Sequence, residues 1–140
     1  MEIYQTKLSL DTKASIEIIN ITGIITAEIK KVRVKRGFVI ISVVHTTACI
    51  FINEDEEGLA FDLELIPKLI AENENLCKKF KHNENCTNAV AHISASVIGS
   101  QKTLSIQNGE LVLGTWQRVL FFELDGPRQG REIHINIIGE

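Results

Sequence analysis

No stretch of this chain is long and apolar enough to cross a bilayer, so a membrane span is not expected. The amino terminus reads Met-Glu-Ile-Tyr-Gln, without a basic segment followed by an apolar one. A signal peptide is therefore not expected, and the chain reads as cytoplasmic. No basic block is longer than the short patch from Lys30 to Arg36, and the formal net charge is −3. That argues against a dedicated nucleic-acid binder, which needs a basic face. Cysteine is scarce: Cys49, Cys77 and Cys86 make an odd count without a Cys-x-x-Cys pair. A disulfide framework or a zinc ribbon is thus not expected. Cys49 lies in an apolar run and reads as a small buried hydrophobe. Repeats, low-complexity tracts and linkers are also missing. What remains is ordinary globular material, 44% hydrophobic and 24% charged over 140 residues. This fits one domain, 1–140, with a real core.

Periodicity predicts an α+β order. Glu2 to Leu10 alternates and reads as a strand, followed by a second strand from Ser15 to Ile19. Ile21, Ile24, Ile25, Ile29 and Val32 recur at helical spacing, with Asn20 or Thr22 as start and Gly37 just past the end. Phe38 to Val44 and Ala48 to Ile52 read as strands. The acidic run Glu54 to Glu57 suits the first turn of a helix, which Leu59, Leu63, Ile66 and Ile70 continue. Pro67 predicts a break or kink within it. Glu72 to Asn85 is polar and reads as a loop. A further helix, capped by Thr87, is expected to run to about Ile98 and stop at Gly99. From Lys102 onward the pattern is all strand, with a hairpin at Asn108-Gly109 and a turn at Asp125-Gly126-Pro127-Arg128.

Polar groups collect where these strands end. His45, His82 and His92 are three imidazoles able to hold a divalent metal and leave a position for water. The alternative is a local hydrogen bond for each. His134 alternates with Ile133 and Ile135, so it should face away from them and lie outside that cluster. Glu54, after Asn53, can act as a general base, or simply complement the helix dipole. Thr46 and Thr47 can offer hydroxyls and N–H groups to a phosphate, or serve as β-branched strand residues. Trp116 and Gln117 can wall a ligand pocket or pack an interface. Asp125 and Arg128 flank one tight turn. They form either a self-satisfied ion pair or a bidentate anion site.

These residues, taken in order, resemble the YjbQ family, whose members are described as secondary thiamine-phosphate synthases. The likeness rests on His45-Thr46-Thr47-Ala48, Asn53-Glu54, His82, Ala91-His92, Gly114-Thr115-Trp116-Gln117, Asp125-Gly126-Pro127-Arg128 and Gly139-Glu140. It implies a single compact α+β domain with two mostly antiparallel sheets and two to three helices. It also implies a homotrimer and a pocket in which His45, His82 and His92 hold a divalent metal, zinc or Mg²⁺. Two departures stand out. Asn83 follows His82 where many members have Asp, which removes a carboxylate that would orient the imidazole. Gln129-Gly130 replaces more basic residues, leaving anion binding to Arg128 and Arg131.

The resemblance implies a transferase of phosphorylated small molecules, joining a pyrimidine pyrophosphate to a thiazole phosphate. Glu54, His45 and Arg128 would be its catalytic residues. Thr46, Thr47, Asn53, Trp116, Gln117 and Asp125 would bind substrate. The alternatives are a metal-dependent hydrolase with Glu54 moving the proton, and a non-catalytic trimeric ligand-binding protein. Neither a nucleic acid nor a membrane is expected as partner.

Overall fold

Nine residues from Glu2 to Leu10 form β1, and nine from Arg131 to Gly139 form β8, its antiparallel partner. The computed structural model describes the backbone of residues 1–140 and every side chain except that of Asn83. Between these two strands lie β2 (Glu17–Asn20), α1 (Thr22–Val32), β3 (Arg36–Val43), β4 (Ala48–Asn53) and α2 (Glu57–Glu72). Next come α3 (Glu74–Cys77), a 3₁₀ turn (His82–Glu84), α4 (Cys86–Ile98), β5 (Gln101–Gln107), β6 (Glu110–Leu111) and β7 (Arg118–Glu123).

The strands make two antiparallel sheets, one ordered β1-β8-β3-β5-β6 and the other β2-β7-β4. The fold is therefore the expected α+β arrangement. Period-two alternation explains the larger sheet: Ile133, Ile135 and Ile137 of β8 point into the core, while His134 faces the other way. The main core lies between the sheets. Ile25 and Ile29 of α1 join Val39, Ile41, Ile50, Val119 and Phe121 there. On the far face of the smaller sheet, Cys49 and Phe122 pack against Ala91 and Ala95 of α4. Four consecutive residues of β7, Val119 to Phe122, are all buried, because that strand is covered by the larger sheet on one face and by helix on the other.

Several local expectations change. Gly37 lies in β3, and α1 ends earlier, on Arg33 in the left-handed conformation. Pro67 does not break α2, which runs on to Glu72. Proline costs one helical bond, but its ring is buried in a seam with Leu63, Ile93 and Phe122. The segment read as a loop holds α3 and the 3₁₀ turn. It is closed by a Cys77–Cys86 disulfide that the odd cysteine count obscured. Asn85, rather than Thr87, caps α4, its side-chain oxygen accepting from the Asn88 N–H. Asn108 and Gly109 both take positive φ and turn the β5–β6 hairpin as expected. Among the described residues no helix is long and apolar enough to cross a membrane.

Candidate functional site

His45 follows β3 at the point where the chain leaves the larger sheet for β4. Its Nε2 accepts the Glu132 backbone N–H at 2.8 Å. In a neutral ring an accepting Nε2 leaves the proton on Nδ1. Burial, followed by the Arg131 guanidinium, holds the His45 pKa below its ordinary 6.5, despite opposing pulls from Glu123 and Glu132. The imidazole is thus neutral at pH 7. It offers one N–H donor beside the exposed Thr46.

His45, Thr46 and Ala48 form one wall of a cavity of about 330 Å³. The opposite wall comes from α4 and the residues just after it: His92, Ala95, Ser96, Gly99 and Ser100. His92 and Ser96 are four residues apart and so share a helix face. His82, from the 3₁₀ turn, meets His92 edge to face with ring centroids 4.5 Å apart. His45 and His92 thus share the cavity, and His82 packs against His92 from the turn before α4. His134 stands elsewhere, on β8, bonded to Glu132.

The Asp125–Arg128 turn is fastened to the same helix. Asp125 Oδ2 accepts from Asn88 Nδ2 at 3.2 Å, one helical turn before His92, and from Arg128 Nη2 at 3.0 Å. Arg128 Nε donates to the Asp125 carbonyl. Gly126 is required by close approach, since a Cβ there would come within 2.2 Å of the Ala14 carbonyl oxygen. The Gly126–Pro127 bond is cis. The Arg128 backbone is bonded on both sides to Thr12, whose hydroxyl accepts its N–H and whose own N–H donates to its carbonyl. The Arg128 side chain stays half-exposed.

Behind the cavity lies a buried ion pair absent from the sequence-based candidates. Glu123 is fully buried and accepts from Arg131 Nε at 2.8 Å and Nη2 at 2.5 Å. Arg131 also donates to the Thr47 hydroxyl at 3.0 Å. Thr47 is accordingly a buried structural contact. Arg131, expected to help bind anions, spends its donors inside the protein. The signal for Glu123 was a lone carboxylate closing the apolar run Val119 to Phe122, which must find a partner if buried.

The remaining candidates lie elsewhere. In the β4–β7 register Ala48 faces Glu123 and Asn53 faces Arg118. Asn53, Glu54, Trp116 and Gln117 thus sit at the opposite end of the smaller sheet, roughly 17 Å from the His45 end at about 3.3 Å per residue. There the Asn53 side chain accepts the Glu54 N–H, and Gln117 Oε1 accepts the Gly114 N–H. Trp116 is 70% exposed. A single chain does not bring these four to the histidine cavity.

A metal held by all three imidazoles would need a lone pair from each. His45 does not fit, because Nε2 is engaged by the Glu132 N–H and Nδ1 carries the proton. Among the described residues no group of three or more His, Cys, Asp or Glu is arranged to hold a metal. The Asn83 side chain, singled out as a departure beside His82, lies outside the described residues.

Fold and site together define a class: a two-sheet α+β domain with a histidine-lined cavity between the start of its smaller sheet and a long helix. The family described as UPF0047 protein YjbQ-like matches residues 6–140, and the chain belongs to it. A UPF0047 protein of Methanothermobacter thermautotrophicus is 34% identical, covering 100% of this chain and 95% of its own. One from Archaeoglobus fulgidus is 40% identical, covering 91% and 96%. Among solved structures, a YbjQ-like protein of unknown function from Sulfolobus solfataricus superposes with TM-score 0.90 at 35% identity, covering 99% of each chain. An uncharacterized yjbq/upf0047 protein from Clostridium acetobutylicum gives 0.85 at 34%, covering 95% of this chain and 99% of its own.

Proposed function

We propose that the cavity beside His45 and His92 binds a phosphorylated small molecule, and that the protein is a transferase resembling secondary thiamine-phosphate synthase. The observation that carries this reading is the convergence of three segments far apart in sequence. His45 and Thr46 face His92 and Ser96 of α4 across one cavity, and the Asp125–Arg128 turn is bonded to the same helix through Asn88. In the reaction the bond from the pyrimidine methylene carbon to the pyrophosphate oxygen breaks. The thiazole nitrogen bonds to that carbon, and pyrophosphate leaves with the electron pair. The chain's task is placement and charge stabilisation. The half-exposed Arg128 guanidinium meets phosphate oxygens, Thr46 offers a hydroxyl, and neutral His45 donates through Nδ1.

The same proposal includes a homotrimer. If Glu54, Trp116 and Gln117 act with the histidines, they come from a neighbouring chain, because their own chain holds them at the far end of the sheet. Trp116 would then supply an aromatic face for the pyrimidine.

The test is an assay of purified protein with pyrimidine pyrophosphate, thiazole phosphate and Mg²⁺. Thiamine phosphate formation that vanishes in His92→Ala supports the reading. Pyrophosphate release without coupling points to a hydrolase, and absence of both turnover and pyrophosphate binding rejects the proposal. Mixing inactive His92→Ala and Glu54→Ala chains after joint refolding should restore part of the activity if the site is shared between chains.

A further inference from the structure

The His45–Thr47 loop and the Asp125–Arg128 turn can both be traced back to one carboxylate. Glu123 ends β7 with no exposed surface. Its Oε1 accepts the Asp125 N–H at 2.9 Å and Arg131 Nη2 at 2.5 Å. Its Oε2 accepts Arg131 Nε at 2.8 Å and the Thr12 hydroxyl at 2.9 Å. Four donors saturate what a carboxylate can accept.

Three paths run outward from there. Through Arg131 Nη2 one reaches the Thr47 hydroxyl, and the Thr47 carbonyl in turn accepts the Leu124 N–H at 3.1 Å. Through Thr12 another reaches the Arg128 N–H, which the same hydroxyl accepts at 2.8 Å. The third follows the backbone one residue from Arg131 to Glu132, whose N–H holds His45 Nε2. A buried ion pair is a poor source of stability compared with apolar residues of equal volume. Its geometry here has another use. We infer that Glu123 is the positioning residue of the site, setting the His45–Thr47 loop and the Asp125–Arg128 turn relative to each other. Only the ligand arm of its test rests on the function proposed above.

Hydrogen exchange separates positioning from bulk stability. In Glu123→Gln one acceptor oxygen becomes a donor amide, so at least one of the four donors loses its partner. With wild type brought by urea to the global stability of the variant, the Leu124, Asp125, Arg128 and Glu132 amides should exchange at least ~10-fold faster in Glu123→Gln, while those of Ile29, Ile41 and Ile135 match. A common acceleration of all amides, or none, overturns the inference. If Glu123→Gln does not fold, Thr12→Val removes one donor to Glu123 together with the acceptor of the Arg128 N–H, and Thr12→Ser is the rescue. Thr12→Val should speed exchange of the Asp125 and Glu132 amides, neither of which is bonded to Thr12, and weaken inorganic pyrophosphate binding about 10-fold by calorimetry, with Ser restoring both. A Thr12→Val protein matching wild type in exchange overturns the inference. If wild type itself binds no pyrophosphate, the proposed function falls, and the exchange pattern alone decides the role of Glu123.

Discussion

Arg128 separates into two parts with different duties. Its backbone N–H and carbonyl tie the turn to Thr12, while its side chain makes a partly exposed pair with Asp125. Such a pair contributes about 0–1 kcal/mol. Arg128→Ala should therefore shift Tm by no more than a few degrees, yet raise KM for a phosphorylated substrate, measured by steady-state assay beside a thermal melt. A melted protein with unchanged KM in the folded fraction would make the side chain structural. His45 gives a second prediction. With Nε2 held by Glu132 it has no lone pair to lend, so zinc affinity by calorimetry should fall in His82→Ala and His92→Ala and stay unchanged in His45→Ala. Glu123 gives a third. Burial pushes its carboxyl up, but Arg131, the Asp125 N–H and Thr12 outweigh burial and hold it below 4.5. A depressed folded-state value adds stability that is present above the unfolded pKa and lost as pH falls through the folded one. Breaking a buried pair costs about 3–5 kcal/mol at neutral pH. The gap in urea midpoint between wild type and Glu123→Gln should be widest near pH 7 and narrow only in acid below the ordinary 4.5, as pH falls through the lowered folded-state value. Cys49 needs no such treatment: burial pushes its thiol up to about 12, so it remains an unreactive core residue.

At the scale of elements, the segment between α2 and α4 departs furthest from expectation. Its polar composition hid a short helix, a 3₁₀ turn and a disulfide. The bridge joins residues nine apart and encloses His82. On loop-closure entropy alone a bridge of that length stabilises by about 2–3 kcal/mol. The Cys77→Ser/Cys86→Ser double variant should lose that much in urea unfolding, and trypsin should cleave at Lys78, Lys79 and Lys81 sooner. Equal digestion rates in both proteins would show that the bridge does not order the segment. The strands were more legible. Alternation marked β1 and β8, and Asn108-Gly109 marked the hairpin, because side-chain direction and turn backbone depend on neighbouring residues alone. Pro67 was misleading for the opposite reason: its helix is held by tertiary packing that no local pattern encodes.

For the whole molecule, the wholly apolar β7 does not by itself call for a second chain, since both its faces are covered within one. One apolar surface that looks outward lies on α2 and α4, where Phe61, Ile66, Leu69 and Val97 are exposed at 64%, 57%, 50% and 81%. Under the trimer proposal, sedimentation at micromolar concentration should give three times the 15.7 kDa chain mass. An obligate interface of this kind buries on the order of 2,000 Å² or more. A 15.7 kDa species that persists as concentration rises would sink the shared site along with the trimer.

By itself the sequence determined the fold class and nearly all the strands, and it singled out the residue types expected to carry chemistry. Those properties follow from local periodicity, turn chemistry and an ordered set of motifs. Tertiary structure alone decided which candidates meet. It put His45 and His92 on one cavity, with His82 against His92, and left Glu54, Trp116 and Gln117 at the far end of the smaller sheet, because strand register sets distance along β4 and β7. It also turned Arg131 and Thr47 inward onto Glu123. A buried carboxylate must find its donors wherever the packed chain supplies them, and here they come from residues 8 and 111 positions away.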